Sequence, residues 1–156
     1  MRAVDRFEKL VWQLSANDTK TVWILKCDIR KFFDSIDHEI LLRLLSAKLP
    51  DEPLIKLLES IVYSFKVKEG KGIPLGNLTS QLFANIYLDQ LDQYVKRILR
   101  FKNYVRYADD FVSLSRSKYE IMAIFSDVSL FVNKQLKLEL HPNKIVLKID
   151  ASKVYD

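Results

Sequence analysis

The spacing of hydrophobic residues predicts helices that alternate with strands along the chain. Apolar positions recur at helical period over residues 4–14, 38–48, 52–63 and 79–99, and again in a helix that follows Ser117. Runs of β-branched and aromatic residues predict a strand over 22–29 and a hairpin over 104–115. A second hairpin is predicted from residues 136–140 and 144–149. This order predicts an α+β domain, an antiparallel sheet with helices packed on one face.

Several polar residues mark where the predicted helices begin. Asp37 and Asp51 precede helical patterns as N-caps, and Ser117 with Glu120 forms a capping box. His38 and His141 have no histidine or cysteine partner at metal-ligand spacing. We therefore interpret both as ordinary surface or capping residues, and no zinc site is predicted.

Composition narrows the class of protein only slightly. The chain has 156 residues, of which 49% are hydrophobic, which is typical of one folded domain. The net charge of +5 is compatible with a polyanionic partner but does not require one. The single cysteine, Cys27, excludes an internal disulfide and suits a reducing cytoplasm. The sequence shows no signal peptide and no run long enough to span a membrane.

Two adjacent carboxylates occupy the tip of the first predicted hairpin, Asp109 and Asp110. At about 4 Å and an effective dielectric constant near 20, two like charges repel by roughly 4 kcal/mol. A divalent cation with oxygen ligands would remove that cost, whereas a solvated turn is the simpler explanation for this pair alone. A third acid, Asp28, ends the predicted buried strand, where it could also cap the next turn.

All three glycines of the chain fall between residues 70 and 76, before the predicted long helix. Glycine permits close backbone approach and positive φ, so this loop is suited to a ligand or to a sharp corner. A helix N-terminus after a glycine also favours anions. A plain connection between loop and helix is an equally simple interpretation.

Four blocks of residues in a fixed order resemble the palm of reverse transcriptases. Among these enzymes, the blocks look most like those of the bacterial and phage diversity-generating retroelements. Together they span residues 26 to about 147, so the resemblance covers most of the chain. The blocks are Asp28-x-x-x-x-Phe33, Leu75-Gly76-x-x-x-Ser80-Gln81, Tyr107-Ala108-Asp109-Asp110 and Leu138-x-x-x-x-x-Lys144.

The resemblance implies catalysis of nucleotidyl transfer by two Mg²⁺ ions, with Mn²⁺ as an alternative. Asp28 and Asp109 would be the principal metal ligands and Asp110 would assist. Lys144 would protonate the leaving pyrophosphate, although an edge-strand lysine that blocks aggregation explains this residue equally well.

The resemblance also implies a nucleotide-binding set comprising Phe33, Leu75, Gly76, Gln81 and Tyr107. Phe33 matches the aromatic gate that excludes a ribose 2′-hydroxyl, which favours deoxynucleotides; packing in the core is the alternative for Phe32 and Phe33. Leu75 and Gln81 depart from the commoner pattern, which has glutamine before the glycine and proline after the serine. In the retroelement enzymes this change accompanies error-prone copying of template adenines.

The resemblance further implies an RNA template, a DNA or RNA primer and a dNTP as partners. It allows a basic accessory variability protein and implies no membrane. We expect one palm domain over residues 1–156, with about 1–20 and 38–75 partly fingers, and with the thumb and most of the N-terminal fingers absent. As such a fragment, the chain alone is expected to have little or no polymerase activity.

Two other classes of function remain open from the sequence. One is an RNA polymerase or a templateless nucleotidyltransferase on the same palm. The other is a non-catalytic α+β module for nucleic-acid binding or protein interaction, in which the acids are turn residues.

Overall fold

The computed structural model describes residues 3–17 and 19–142, and the backbone of residues 146–149. Helices and strands follow one another in the order expected for an α+β domain. The elements are α1 (Ala3–Ser15), β1 (Val22–Cys27), α2 (Phe32–Ser35), α3 (His38–Lys48), α4 (Glu52–Tyr63), α5 (Leu78–Gln93), a π-helical turn (Tyr94–Ile98), β2 (Tyr104–Tyr107), β3 (Asp110–Ser115), α6 (Lys118–Leu136) and β4 (Val146–Ile149).

The described strands form one antiparallel sheet in the order β2-β3-β1-β4. The hairpin predicted over 104–115 is confirmed, because β2 and β3 pair from Tyr104 opposite Ser113 to Tyr107 opposite Asp110. Strand β1 lies at the centre of the sheet, between β3 and β4, and its Cys27 is opposite Phe111. The end of β1 and the tip of the hairpin therefore lie at the same edge of the sheet.

The second predicted hairpin is wrong. Helix α6 ends at Leu136, whose side chain is 2% exposed. Burial of this leucine favours the helix over a strand at residue 136. Lys137 then takes a left-handed conformation that stops the helix. Leu140 forms an isolated bridge with Ile29, and β4 pairs with β1. Leu136 therefore belongs to a helix and Leu140 to a single bridge, and the two do not form one strand.

Apolar side chains are buried on both faces of the sheet. Residues alternate between faces along a strand, so Leu25 and Cys27 face one side while Val22 and Ile24 face the other. The first side packs against helices α2 to α6 in the larger core. Helix α1 covers part of the second side through Val11 and its neighbours. The predicted layer of helices is therefore present, and one further helix lies across the sheet from it.

The predicted helix caps are confirmed at Asp37, Asp51 and Ser117, each of which accepts a backbone N–H three residues later. The capping box is closed indirectly, because Glu120 bonds to the hydroxyl of Ser115. That hydroxyl in turn accepts the N–H of Ser117.

The interpretation of His38 as a surface or capping residue is wrong. Its side chain is 1% exposed, its ring stacks edge-on against Tyr63, and Nε2 donates to the carbonyl of Gly72 at 2.7 Å. The backbone N–H of His38 donates to the carbonyl of Gly70. This histidine ties the start of α3 to the glycine loop.

The predicted long helix begins one residue early and changes pitch near its end. The π-helical turn Tyr94–Ile98 adds a residue to one turn and so rotates the side chains that follow. Ile98, one of the apolar positions in the helical pattern over 79–99, is 70% exposed, and Phe101 is buried instead. Leu82, another position of that pattern, is 56% exposed.

Candidate active site

Asp28 lies directly after β1, at the edge of the sheet that carries the hairpin tip. Because Cys27 is opposite Phe111, the next position on each strand brings Asp28 beside Asp110. Asp28 is 8% exposed, and its carbonyl accepts the N–H of His141 at 2.7 Å. The backbone around this carboxylate is thus held from both sides, by β3 and by the segment that follows α6.

The hairpin turns through two residues, Ala108 and Asp109, between the last opposed pair of Tyr107 and Asp110. Ala108 has φ +53°, the left-handed region that costs a residue with a Cβ atom about 1–2 kcal/mol. Tight two-residue turns require such a positive φ. The turn therefore places the Asp109 carboxylate at the tip, next to Asp110 on β3.

Lys26 supplies a positive charge at this edge. It lies two residues before Asp28, and hence on the same face of β1. Its Nζ atom is 3.8 Å from Oδ1 of Asp110, and both side chains are about half exposed, at 51% and 46%. An ion pair this open to water contributes about 1 kcal/mol at most. The pair therefore contributes little to the stability of the fold.

Arg106, which the sequence analysis did not select, joins the hairpin to helix α5. Its Nε and Nη2 donate to the two carboxylate oxygens of Asp92 at 3.0 and 2.9 Å. Its Nη1 donates to the carbonyl of Ala108 at 2.8 Å, and the hydroxyl of Tyr104 donates to Asp92 at 2.9 Å. Burial lowers the pKa of Arg106, but Asp92 outweighs this effect and leaves that pKa above its ordinary value.

A cavity of about 470 Å³ opens between the hairpin, α2 and α5. Three predicted nucleotide-binding residues line it, namely Phe33, Gln81 and Tyr107. The remaining lining residues, which the sequence analysis did not select, are Ala84, Asn85, Arg106 and Ala108. Ala84 and Asn85 could have been found from the sequence, since they follow Gln81 by three and four residues on one helix face.

The two adjacent phenylalanines separate into different environments. Phe32 is 3% exposed and packs edge-on against Tyr87, with ring centroids 6.5 Å apart. Phe33 is only partly buried and lines the cavity. Core packing therefore accounts for Phe32, and Phe33 is free to act at the cavity wall.

The glycine loop has two parts with different roles. Gly70 and Gly72 form a sharp corner that hydrogen-bonds to residues 36–38 and closes the loop onto α3. A Cβ atom on Gly72, at φ +101°, would lie 3.0 Å from Val67. Gly76, at φ +92°, precedes α5, and Leu75 beside it is 77% exposed. Neither Leu75 nor Gly76 lines the cavity.

The carboxylates suit divalent metal ions by their chemistry. Asp28, Asp109 and Asp110 lie at one edge of the sheet, and carboxylate oxygens are the ligands that Mg²⁺ prefers. Within residues 3–17 and 19–142, no group of three or more histidine, cysteine, aspartate or glutamate side chains forms a ready-made metal cage. Mg²⁺ commonly binds through one or two carboxylates together with substrate phosphates, so an open arrangement is compatible. Lys144 lies outside the described residues.

Comparison with known proteins identifies the family. Residues 3–154 match the family described as "Reverse transcriptase (RNA-dependent DNA polymerase)", and the chain belongs to it. It is 25% identical to the group II intron-encoded protein LtrA of Lactococcus lactis. The alignment is 193 positions long, gaps included, and covers 80% of this chain and 32% of LtrA. It is also 35% identical to an uncharacterized 91 kDa protein in the cob intron of Schizosaccharomyces pombe, over 49% of this chain and 10% of that protein.

The fold also resembles a telomerase. The structure of apo telomerase from Candida tropicalis superposes with a TM-score of 0.71 and 14% identity, over 92% of this chain and 30% of the telomerase chain. This likeness supports the palm-like α+β fold predicted from the sequence. The chain spans less than half of each of these relatives. The narrower resemblance to diversity-generating retroelements stays a prediction.

Proposed function

We propose that this chain carries the catalytic centre of an RNA-directed DNA polymerase. The observation that supports this most strongly is that the backbone positions of Asp28, Asp109 and Asp110 lie at one edge of the sheet. These residues are distant in sequence, and the family to which the chain belongs is named for this activity. A non-catalytic module would have no physical reason to place three acidic residues, from distant parts of the sequence, at one edge of the sheet.

In this proposal Asp28 and Asp109 hold the metal ions and Asp110 assists. When bound, the ions lower the pKa of the primer 3′-hydroxyl and neutralise the charge of the triphosphate. The chain contributes positioning, because β1 and the hairpin hold the carboxylates on a rigid sheet. Lys26 pairs with Asp110 at 3.8 Å and would have to release this carboxylate for a cation to bind there.

The cavity beside the hairpin would receive the incoming nucleotide. Phe33 forms its wall next to Tyr107 and Gln81, and a bulky ring there would collide with a 2′-hydroxyl. We therefore propose dNTPs as substrates, with Gly76 and Leu75 approaching from the loop that precedes α5. Lys144 remains the proposed donor of a proton to pyrophosphate.

We also propose that copying is error-prone. Leu75 cannot donate the hydrogen bond that a glutamine at this position would offer. Leu75 is 77% exposed in the chain alone, so the loss would act once template and nucleotide cover it, and it would then reduce discrimination by on the order of 1–3 kcal/mol. Misincorporation opposite template adenine is compared for the wild type and Leu75→Gln. A lower error rate in the variant is expected, and equal rates would remove this proposal.

The wider organisation stays part of the proposal. The chain would be a palm with part of the fingers, and RNA template, primer and dNTP would be its partners; the proposed compartment is the cytoplasm. No helix in the described ranges is long and apolar enough to cross a bilayer. A basic accessory protein is a further proposed partner, on the basis of the resemblance to the retroelement enzymes alone.

A single-turnover primer-extension assay tests the function. The chain is mixed in excess with an RNA template that carries an annealed DNA primer. Mg²⁺ is then added together with either the complementary dNTP or the matching NTP. Because the isolated chain is expected to have little polymerase activity, we expect slow addition of a single dNTP, which Asp109→Asn should abolish and Asp51→Asn should leave intact. Asp51 is a matched control because its carboxylate caps α4 away from the site.

The other outcomes separate the rival functions. Equal use of NTP would favour an RNA polymerase, and addition without a template would favour a templateless nucleotidyltransferase. Extension that survives Asp109→Asn would contradict the proposed catalytic centre. Because one added nucleotide is detectable, the assay does not depend on processive synthesis.

A further inference from the structure

The guanidinium of Arg106 makes three hydrogen bonds within the protein. Nε and Nη2 engage Asp92, and Nη1 engages the carbonyl of Ala108. An arginine has five N–H donors, and these three bonds fix the plane of the group. The side chains of Arg106 and Asp92 are 11% and 17% exposed, so water competes little for the pair. Shielded two-point pairs of this kind are strong and directional.

The bond to Ala108 acts at the point where the direction of Asp109 is decided. The carbonyl of Ala108 belongs to the peptide plane that leads into Asp109. Fixing that oxygen fixes the plane, and with it the direction in which the Asp109 side chain leaves the turn. Ala108 is held at φ +53°, a conformation that is costly for alanine and needs support from its surroundings.

The far end of the contact is anchored in the core. Asp92 lies on α5 between Leu91, which is fully buried, and the start of the π-helical turn. Its Oδ1 also accepts the hydroxyl of Tyr104, a side chain that is 1% exposed. The hairpin tip is therefore tied through Arg106 to a rigid helix.

We infer that Arg106 and Asp92 are positioning residues that orient the Asp109 carboxylate for metal binding through the Ala108 peptide. This inference rests on the proposed function, in which Asp109 is a metal ligand. The alternative is a purely structural ion pair that joins β2 to α5. The two differ in one measurable respect, because a structural pair changes stability without changing the metal affinity of the folded protein.

Mn²⁺ binding provides the test, since free Mn²⁺ is counted from its electron paramagnetic resonance signal. The variants are Asp92→Asn, which removes the charge from the pair, and Arg106→Lys, which keeps the charge but cannot bridge Asp92 and Ala108 together. The control is Asp89→Asn, on the same helix, where Asp89 pairs with Lys48 at 3.0 Å. All are measured well below their melting temperatures, and the backbone amide of Asp109 is followed by NMR.

We expect Mn²⁺ affinity to fall by about tenfold or more in both variants, as when outer partners of metal ligands are removed. The Asp109 amide resonance should shift in both, and Asp89→Asn should match the wild type. Unchanged affinity in folded Arg106→Lys would overturn the inference, as would an equal loss in the control. Asp109→Asn is titrated with Mn²⁺ alongside these proteins. If it binds Mn²⁺ like the wild type, the proposed function fails first, so the two failures are distinguishable.

Discussion

The Nζ atom of Lys26 lies 3.8 Å from Oδ1 of Asp110, at the edge of the sheet that also carries Asp28. This ammonium balances the carboxylates in the place where a divalent cation would act. A lysine in such a position would compete with a metal ion for the carboxylate of Asp110. Its removal should therefore favour metal binding.

Lys26→Met, which keeps an unbranched side chain of similar length, should raise the affinity for Mn²⁺ by about two- to fivefold, the size expected from an exposed ion pair. Electron paramagnetic resonance of free Mn²⁺ measures the change. Lys48→Met is the matched control, because it removes one positive charge from the Lys48–Asp89 pair that joins α3 to α5. Weaker binding in Lys26→Met would contradict the competition and would give this lysine a direct role in holding substrate.

Phe33→Ala should relax the choice of sugar. Removing the ring from the cavity wall leaves space for a 2′-hydroxyl, so the preference for dNTP over NTP should fall by about tenfold or more. Single-turnover addition of matched dCTP and CTP measures the ratio. Phe33→Tyr keeps the bulk and should retain the preference. An unchanged ratio in Phe33→Ala would remove this residue from sugar selection.

The buried carboxylate of Asp37 should make stability depend on pH. Burial would raise the pKa of Asp37, but hydrogen bonds from Lys137, at 2.8 Å, and from the Ile40 amide outweigh it and hold that pKa below its ordinary value. The stabilisation is therefore present above the unfolded pKa, near 3.8, and is lost as the pH falls through the lower folded pKa.

Urea unfolding of the wild type and Asp37→Asn tests this. Asparagine still caps α3, so at about pH 7 the variant should lose the charged interactions with Lys137 and Lys71 and should have a lower free energy of unfolding. The difference should shrink as the pH falls below about 4. A difference that stays constant down to about pH 2 would contradict the shifted pKa.

Gly72→Ala should destabilise the fold more than Gly70→Ala. Both glycines have positive φ, but a Cβ atom at residue 72 would meet the backbone nitrogen of Val67 at 3.0 Å, whereas nothing lies within 4 Å at residue 70. We expect strain of about 1–2 kcal/mol at residue 70 and a larger loss at residue 72, because the clash adds to it. Thermal melting of the two variants compares them, and equal losses would contradict the close approach.

Much of the fold is predictable from the sequence because local signals act within one element. Asp37 and Asp51 begin their helices where a carboxylate can accept an N–H three residues on, and this needs no tertiary contact. The hairpin at Asp109 is predictable for the same reason, since its flanking residues and its turn are contiguous.

The parts that are not predictable depend on long-range partners. The alternating leucines after Leu136 fit a strand equally well, and only the burial of Leu136 against the core extends α6 through it. The sequence alone does not show that His38 is buried. Its burial depends on the hydrogen bond from Nε2 to the carbonyl of Gly72, which is 34 residues away. Arg106 carries no local signal that its partner is Asp92.

The metal affinity of Asp28 tests the central claim most directly. Free Mn²⁺ is titrated against the wild type, Asp28→Asn and the control Asp51→Asn, each in the presence of dNTP. The proposed catalytic centre predicts that Asp28→Asn weakens Mn²⁺ binding by at least about tenfold while Asp51→Asn binds like the wild type. Equal binding by all three proteins would contradict it.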